Sequence, residues 1–288
     1  MSDYLTTDEL ALFLRVRPRK VYDLVSKNQV PYSKVMGKLL FSKKDITTWI
    51  SGEREQVIVK QNLPDVLLGS HDPLLEWAVK QSKSGIAMSF DGSMDGLNRF
   101  RANQGMASGL HIYDNHFNEW NVSIVKKSLD KNHFVLMEWA KRDRGLIFKD
   151  VGRSKKTSIN DFLGKRMVAR QNGSGSENYL KFFLKNKNLD FSDFASTEIA
   201  FTENDAVMLI VTGQADLTLG LASEAEKYSL QFIPIVTERF DLVINRKSWF
   251  EKPFQKLINF CKTQEFSDMA SKLHGYNIKN LGKIHYNS

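Results

Sequence analysis

Apolar positions recur at helical spacing three times in the first fifty residues. Leu10, Phe13 and Leu14 stand at i, i+3 and i+4, as do Val21, Leu24 and Val25, and again Ile46, Trp49 and Ile50. That spacing lines one face of a 3.6-residue helix. Thr7 ahead of Asp8 and Glu9 predicts a capped helix start, with both carboxylates at the positive end of the dipole. Pro18 suits the first turn of the second helix. Between the second and third helices, Val35 to Phe41 reads as a short hairpin turning near Gly37 and Lys38, and Ser42 is placed to cap the last helix. The predicted order is helix, tight turn, helix, wing, helix.

After this, Glu53 to Asn62 is polar and charged without an apolar face and reads as a linker. Beyond Pro64, short apolar runs alternate with amphipathic stretches. Strands are predicted at Val66–Leu68, Ile86–Phe90, Ala107–His111, Phe134–Trp139, Met167–Arg170, Ala215–Leu219, Phe232–Ile235 and Leu242–Asn245. Helices are predicted at Pro73–Lys83, Met94–Asn103, Ile159–Leu163, Ser176–Lys187, Glu203–Thr212, Ala222–Tyr228 and Pro253–Lys262. Alternation of this kind implies an α/β fold with a parallel or mixed sheet. The 288 residues divide into residues 1–52, a linker at 53–63 and a larger domain at 64–288.

Charge sharpens the picture at the front. Residues 1–60 hold 11 Lys and Arg against 7 Asp and Glu, whereas the other 228 hold 30 against 26, so basic density is highest at the N-terminus. In a helix-turn-helix the second helix enters the major groove by its N-terminal residues. Here that end carries Arg17, Arg19 and Lys20 with Tyr22 close by, and Lys34 and Lys38 flank the wing. From charge alone, a small helical domain with a solvated basic face reads equally well. The single cysteine, Cys261, excludes an internal disulfide and fits a packed position in a reducing compartment. No run approaches the roughly 18 apolar residues of a membrane span, and no signal-peptide core opens the chain. A cytoplasmic protein without a membrane association is expected.

Candidate chemistry lies in three strand-to-helix turns: Leu68 to Pro73, Phe90 to Gly96, and Arg170 to Ser176. Each sets Gly and Ser where a strand hands over to a helix, offering backbone N–H groups, a hydroxyl and a helix N-terminus. Ligands of open α/β sheets gather at the carboxyl ends of strands, so convergence of the three would make a small-anion site. Catalysis finds less support. The Gly-Ser-Gly-Ser segment lacks the Gly-Lys-Ser/Thr of a phosphate-binding loop, and no G-x-S-x-G elbow occurs. The six histidines show no H-x-x-x-H spacing, so neither a metal nor a catalytic residue is assigned. His111 and His116 near Asp114 read as a surface loop, and Asp91 and Asp95 as caps of the following helix.

Two resemblances add to this reading. The segment LTTDELALFLRVRPRKVYDLVSKNQVPYSKVMGKLLFSKKDITTWI resembles the excisionase-type, winged relatives of the MerR DNA-binding domain. Leu5, Thr6, Leu14, Pro18, Val21, Tyr22, Pro31, Gly37, Phe41 and Trp49 fall on that pattern. Arg17 departs from it where a Ser or Thr cap is usual, and Lys20 where a small hydroxyl residue is usual. Both add charge, which favours phosphate contacts. The segments GSHDPLLEWA, SFDGSMDGLNRFRANQGMASGLHIYD, MVARQNGSGSENYLKFFL and NDAVMLIVTGQADLTLGLASEAEKYSLQFIPIVTERFDLVI resemble, in order, the type II periplasmic-binding-protein-like domain of molybdate-type regulators.

The second resemblance implies two lobes, one of about residues 64–145 and 238–288, the other of about 146–237. It places Ser70, Ser93 and His111 on the first lobe's side of a cleft and Arg170, Gly173, Ser174 and Gly175 on the other. Asp216, Glu238 and Arg239 are implied at the cleft or hinge. It also implies molybdate or tungstate as first ligand, although Arg170 and His111 equally suit a phosphorylated or carboxylated metabolite. No cofactor is implied. The expected protein is a one-component transcription regulator that binds double-stranded DNA as a homodimer and senses a small anion. A metabolite-converting enzyme with an accessory DNA-binding domain is the alternative.

Overall fold

A computed structural model describes residues 3–35, 37–50, 63–130, 132–149 and 156–288. The chain divides into two compact units, Met1–Asn62 and Leu63–Ser288. Most of the predicted linker lies outside the described residues.

The first unit runs β1 (Tyr4–Leu5), α1 (Thr7–Phe13), α2 (Pro18–Ser26), β2 (Ser33–Val35), β3 (Lys38–Ser42) and α3 (Lys43–Ile50). The three strands form an antiparallel sheet in the order β1-β3-β2. The N-cap of α1 is Thr6 rather than Thr7. Glu9 N–H donates to Thr6 Oγ1 at 3.3 Å, while Thr6 N–H donates to Glu9 Oε2 at 2.7 Å, a reciprocal pair that fixes the helix start. Ser42 accepts from Asp45 N–H at the head of α3. The wing closes where Val35 pairs with Lys38, so Lys38 begins a strand, and Gly37, at φ +81°, takes the turn. Leu5, Leu10, Ala11, Val21, Val30, Phe41 and Ile46 make the core. Phe13, Trp49 and Ile50 are exposed, contrary to the period count. The buried face of α1 is centred on Leu10, Ala11 and Leu14, which leaves Phe13 on its rim.

The second unit opens with β4 (Val66–Gly69), α4 (Pro73–Gln81), β5 (Ala87–Ser89), α5 (Ser93–Arg101) and β6 (Ala107–Leu110). A hairpin of β7 (Tyr113–Asp114) and β8 (Glu119–Trp120), then α6 (Val122–Ser128), lead into β9 (Phe134–Phe148). Next come β10 (Arg166–Arg170), α7 (Gly175–Asn186), β11 (Ala195–Ala200), α8 (Glu203–Val211), β12 (Leu217–Leu221), α9 (Ala222–Lys227) and β13 (Gln231–Asn245). The chain finishes with α10 (Lys252–Phe260), α11 (Gln264–Ser271), β14 (Tyr276–Asn277) and β15 (Ile284–Asn287). The main sheet path is β11-β10-β12-β9-β13-β6-β4-β5. Strands β4, β5 and β6 are mutually parallel at one end, and β10, β11 and β12 at the other.

Two fifteen-residue antiparallel strands, β9 and β13, join these ends into two lobes. The sequence predicts β9 only to Trp139 and splits β13 in two. Both run through. The charged run Lys141 to Arg144 hides its inward arginines, and Pro234 sits beside a register shift, where a missing N–H is tolerated. Residues 159–162 form a 3-10 helix, and α6, α11 and the exposed edge strand β11 have no counterpart in the sequence prediction.

Successive residues of the central strands alternate between two cores. In the first lobe Leu67, Trp139 and Phe240 pack under α4, α10 and α11, while Leu68, Leu136 and Val243 face α5 and α6. In the second, Leu146, Phe148 and Leu217 meet α7, and Ile147 and Val168 face the opposite side. Cys261 packs against the first of these cores, and burial pushes its thiol up to about 12. No described helix is long and apolar enough to cross a membrane.

Candidate functional site

The parallel strands of both lobes end at one cleft. Ser70 and His71 follow β4, Phe90 and Gly92 follow β5, and His111 follows β6. From the other lobe come Arg170 at the end of β10 and Gln171 after it, Ser174 and Ser176 at the head of α7, Phe201 after β11 and Glu203 at the start of α8. They line a narrow cleft that opens to solvent. The three Gly- and Ser-bearing turns singled out in the sequence converge here.

The hydroxyls are held in place. Ser70 Oγ lies 2.7 Å from Ser93 Oγ, which accepts the His111 N–H at 3.2 Å. Ser174 caps α7 by accepting from Glu177 N–H at 3.1 Å. Gly92 caps α5 at φ +108° with no side-chain hydrogen bond, a conformation open to glycine. The lobes touch around the cleft. Met94 N–H donates to the Gly173 carbonyl at 3.4 Å, and Gly175 lies so close to His111 that a Cβ there would come within 2.5 Å of the His111 carbonyl oxygen.

Beneath the cleft lies a buried ionic network that the sequence did not disclose. Asp72, the N-cap of α4, accepts from Leu75 N–H, Trp139 Nε1, Arg142 Nη1 and Tyr276 Oη. Arg142 also bonds Glu238. Arg144 donates to Glu238, Ser176 and Glu203. Arg170 pairs with Glu203 at 3.3 Å. Burial alone would raise the carboxyls of Glu203 and Glu238. Arg144 and Arg170 outweigh it at Glu203, and Arg142 and Arg144 at Glu238, holding both below the usual range. Burial would likewise lower Arg142 and Arg144, but their carboxylate partners raise both. His111 Nδ1 sits 3.0 Å from Glu238 Oε2; burial nevertheless holds its imidazole below the usual value. Three arginines thus balance three carboxylates around a neutral histidine.

Of the residues the second resemblance implies, Ser70, His111, Arg170 and Ser174 line the cleft. Ser93, Gly173, Gly175 and Glu238 stand directly behind that lining. Asp216 does not belong there: it pairs with Arg166 at 2.8 Å, at the amino ends of β12 and β10, while the cleft lies at the carboxyl ends. Arg239 bonds Asp241 and the Trp120 carbonyl instead. Asp91 and Asp95 do not cap α5; both pair with Arg99. His111 is buried, so the surface-loop reading fails for it. His71, Asp72, Phe90, Gly92, Gln171 and Ser176 lie within the three turns singled out in the sequence but were not named as site residues, and the sequence missed Phe201 and Glu203 at the lining and Arg142 and Arg144 below it. The one available signal was Arg142 and Arg144 at strand spacing beside an apolar run. Among the described residues no group of His, Cys, Asp and Glu could hold a metal ion.

In the first unit Arg17, Arg19, Lys20, Tyr22, Lys34 and Lys38 are all exposed. Val21 is buried with Leu24 and Val25 packed beside it, which turns the Arg19 and Tyr22 side of α2 outward. Lys20 and Lys27 both pair with Asp23.

Comparison with known proteins agrees with this division. Residues 4–54 match the model of a helix-turn-helix domain family, and residues 75–262 that of the PBP superfamily domain. The chain is 24% identical to the uncharacterized protein YvgK of Bacillus subtilis (strain 168), over 97% of this chain and 96% of that one. In fold it is similar to a phosphate ABC transporter substrate-binding protein of Clostridium perfringens with bound phosphate, at TM-score 0.57 and 15% identity, covering 74% of this chain and 99% of that one. It is also similar to PhnD1 of Prochlorococcus marinus (MIT 9301) in complex with methylphosphonate, at TM-score 0.50 and 11% identity, covering 76% and 94%. At these identities the likeness is one of fold.

Proposed function

The chain belongs, through residues 75–262, to the periplasmic-binding-protein (PBP) superfamily, and on that premise we propose that it is a transcription regulator in which a small anion, bound between the lobes, governs DNA binding by the helix-turn-helix domain. The carrying observation is the convergence of the α5 and α7 N-termini, the hydroxyls of Ser70 and Ser174, and the Arg170 guanidinium on one small cleft. Hydroxyls, backbone N–H groups and a guanidinium are the donors an oxyanion needs. Two proteins of similar fold are described with phosphate and methylphosphonate, which supports an anion of that size. Molybdate and tungstate fall in the same class. Both matched domains are binding folds rather than enzymatic ones.

The exposed Arg17, Arg19 and Lys20 at the head of α2 suit phosphate and base-edge contacts in a major groove, and Lys34 and Lys38 suit the flanking backbone. A reader of fifty residues meets one half-site, so a homodimer on duplex DNA is the proposed working form, in the cytoplasm. Thermal unfolding against phosphate, methylphosphonate, sulfate, molybdate and tungstate tests the cleft. A ligand at about a hundred times its Kd adds roughly 2.7 kcal/mol, a clear rise in Tm. A rise with at least one of these anions is expected, and its absence in a Ser70→Ala, Ser174→Ala double variant. No rise with any anion in the wild-type chain contradicts the reading.

A further inference from the structure

The β7–β8 hairpin belongs to the first lobe by its chain connections but packs its aromatic rings on the second. It leaves the cleft just after His111. Tyr113 and Trp120 pair across it, with their rings 5.1 Å apart. Both rings lie against α7, whose N-terminus faces the cleft. Tyr113 meets Phe182 at 4.7 Å and Tyr179 at 5.4 Å, and Trp120 stacks on Tyr179 at 5.5 Å with 25° between the planes. These three ring pairs cross from lobe to lobe, and they join Tyr113 and Trp120 to the core of the second lobe.

The arm that carries the rings is fixed at its root. Asn121, buried at φ +65°, accepts from Ile112 N–H at 2.7 Å and donates to the carbonyls of Leu110 and Arg239 and to Asp241. A non-glycine residue keeps such a backbone where its surroundings enforce it. Arg239 donates to the Trp120 carbonyl at 2.6 Å, and Asp114 and Glu119 accept from Ser123 at the head of α6. The root is thereby tied to β13 where its register shifts at Phe240/Asp241. An arm fixed on one lobe and seated on the other must release when the lobes part. Tyr113 and Trp120 stand outside the cleft lining, so their contact needs no ligand.

We propose that the hairpin is a clasp: Tyr113 and Trp120 seat on Tyr179 and Phe182 and hold the lobes closed before any ligand arrives, keeping the α7 N-terminus at the cleft. A protein closed beforehand spares its ligand the loss of affinity that a mostly open one imposes. The clasp concerns closure alone, so its test uses no ligand and its outcome is separate from that of the anion screen. An aromatic pair contributes about twofold to twelvefold. Tyr113→Ala removes two of the three cross-lobe pairs and should lower the ratio of closed to open molecules about fivefold to a hundredfold. Double electron–electron resonance on the ligand-free full chain reads this, with nitroxides on Arg101→Cys at the end of α5 and Lys185→Cys near the end of α7, both exposed positions. Cys261→Ser leaves only the two labels, and dilution with unlabelled chain removes distances between copies. The parent should give one narrow distribution, Tyr113→Ala a longer and broader one, and Tyr113→Phe, which keeps the ring, the parent's. Matching distributions in Tyr113→Ala and the parent overturn the clasp, and so does a broad, long distribution in the parent itself. If Tyr113→Ala fails to fold, Phe182→Ala, which unseats the same ring from the α7 side, decides by the same criteria.

Discussion

Arg142, Arg144 and Arg170 are set against Asp72, Glu203 and Glu238 at and beneath the floor of the cleft, almost wholly out of solvent. Bringing six charges out of water is costly, and such clusters are sustained by pairing and hydrogen bonding of every member. Removal of one partner typically costs about 3–5 kcal/mol because it strands the other. Little of this arrangement was legible in the sequence. Lys141 to Arg144 reads as a polar strand end, and Glu238 meets Arg144 across 94 positions of chain. Ser70, Ser174 and Arg170 were legible because local turn chemistry advertises them; Glu203 was not, since an acidic residue opening a helix has an ordinary explanation in the helix dipole.

Asp241 on β13 behaves differently from Glu203 and Glu238. Burial raises its carboxyl to about 6, although Arg239 and Asn121 pull the other way. A folded value above the unfolded one favours the protonated form in the fold. Stability from this group is therefore full below about pH 4 and lost as pH rises through 6, on the order of 3 kcal/mol in all. Asp241→Asn removes that titration. The Tm difference between variant and wild type should move in the variant's favour as the pH is raised from 4 to 7. A difference independent of pH would refute the assignment.

At the scale of elements, β9 and β13 carry the architecture because each spans both lobes. Their length escaped sequence reading where Lys141 to Arg144 interrupts the apolar pattern of β9 and Glu238 to Asp241 that of β13, and a register shift at Phe240/Asp241 marks the second place. Edge strand β11 escaped for another reason: it is largely exposed and shows no alternation. Helix α7 was nearly fully legible, Ser176–Lys187 predicted against Gly175–Asn186 found. Its first residue decides how closely the lobes meet. Gly175→Ala places a methyl within 2.5 Å of the His111 carbonyl oxygen and 2.6 Å of its ring, an overlap that the lobes relieve by parting. The variant should fold but lose most of the anion-induced rise in Tm. An unchanged rise would show that the lobes bind without this contact.

For the whole molecule, the order of a small basic domain followed by an α/β domain was legible from charge density and periodicity, and the two lobes of the second from its resemblance alone. The structure shows how the second domain brings its turns together. Regulation demands that the anion distinguish two states of the protein in their affinity for DNA, since equal affinity shifts nothing. Typical couplings of about 1–3 kcal/mol correspond to changes of about fivefold to 150-fold. The direct test is to select duplexes from a randomised pool with the full chain, then to titrate the winning duplex by fluorescence anisotropy with and without a saturating anion from the thermal-unfolding screen. The account predicts a change in Kd of at least about fivefold, lost in the Ser70→Ala, Ser174→Ala variant. The same Kd in both conditions, with the anion demonstrably bound, would contradict it.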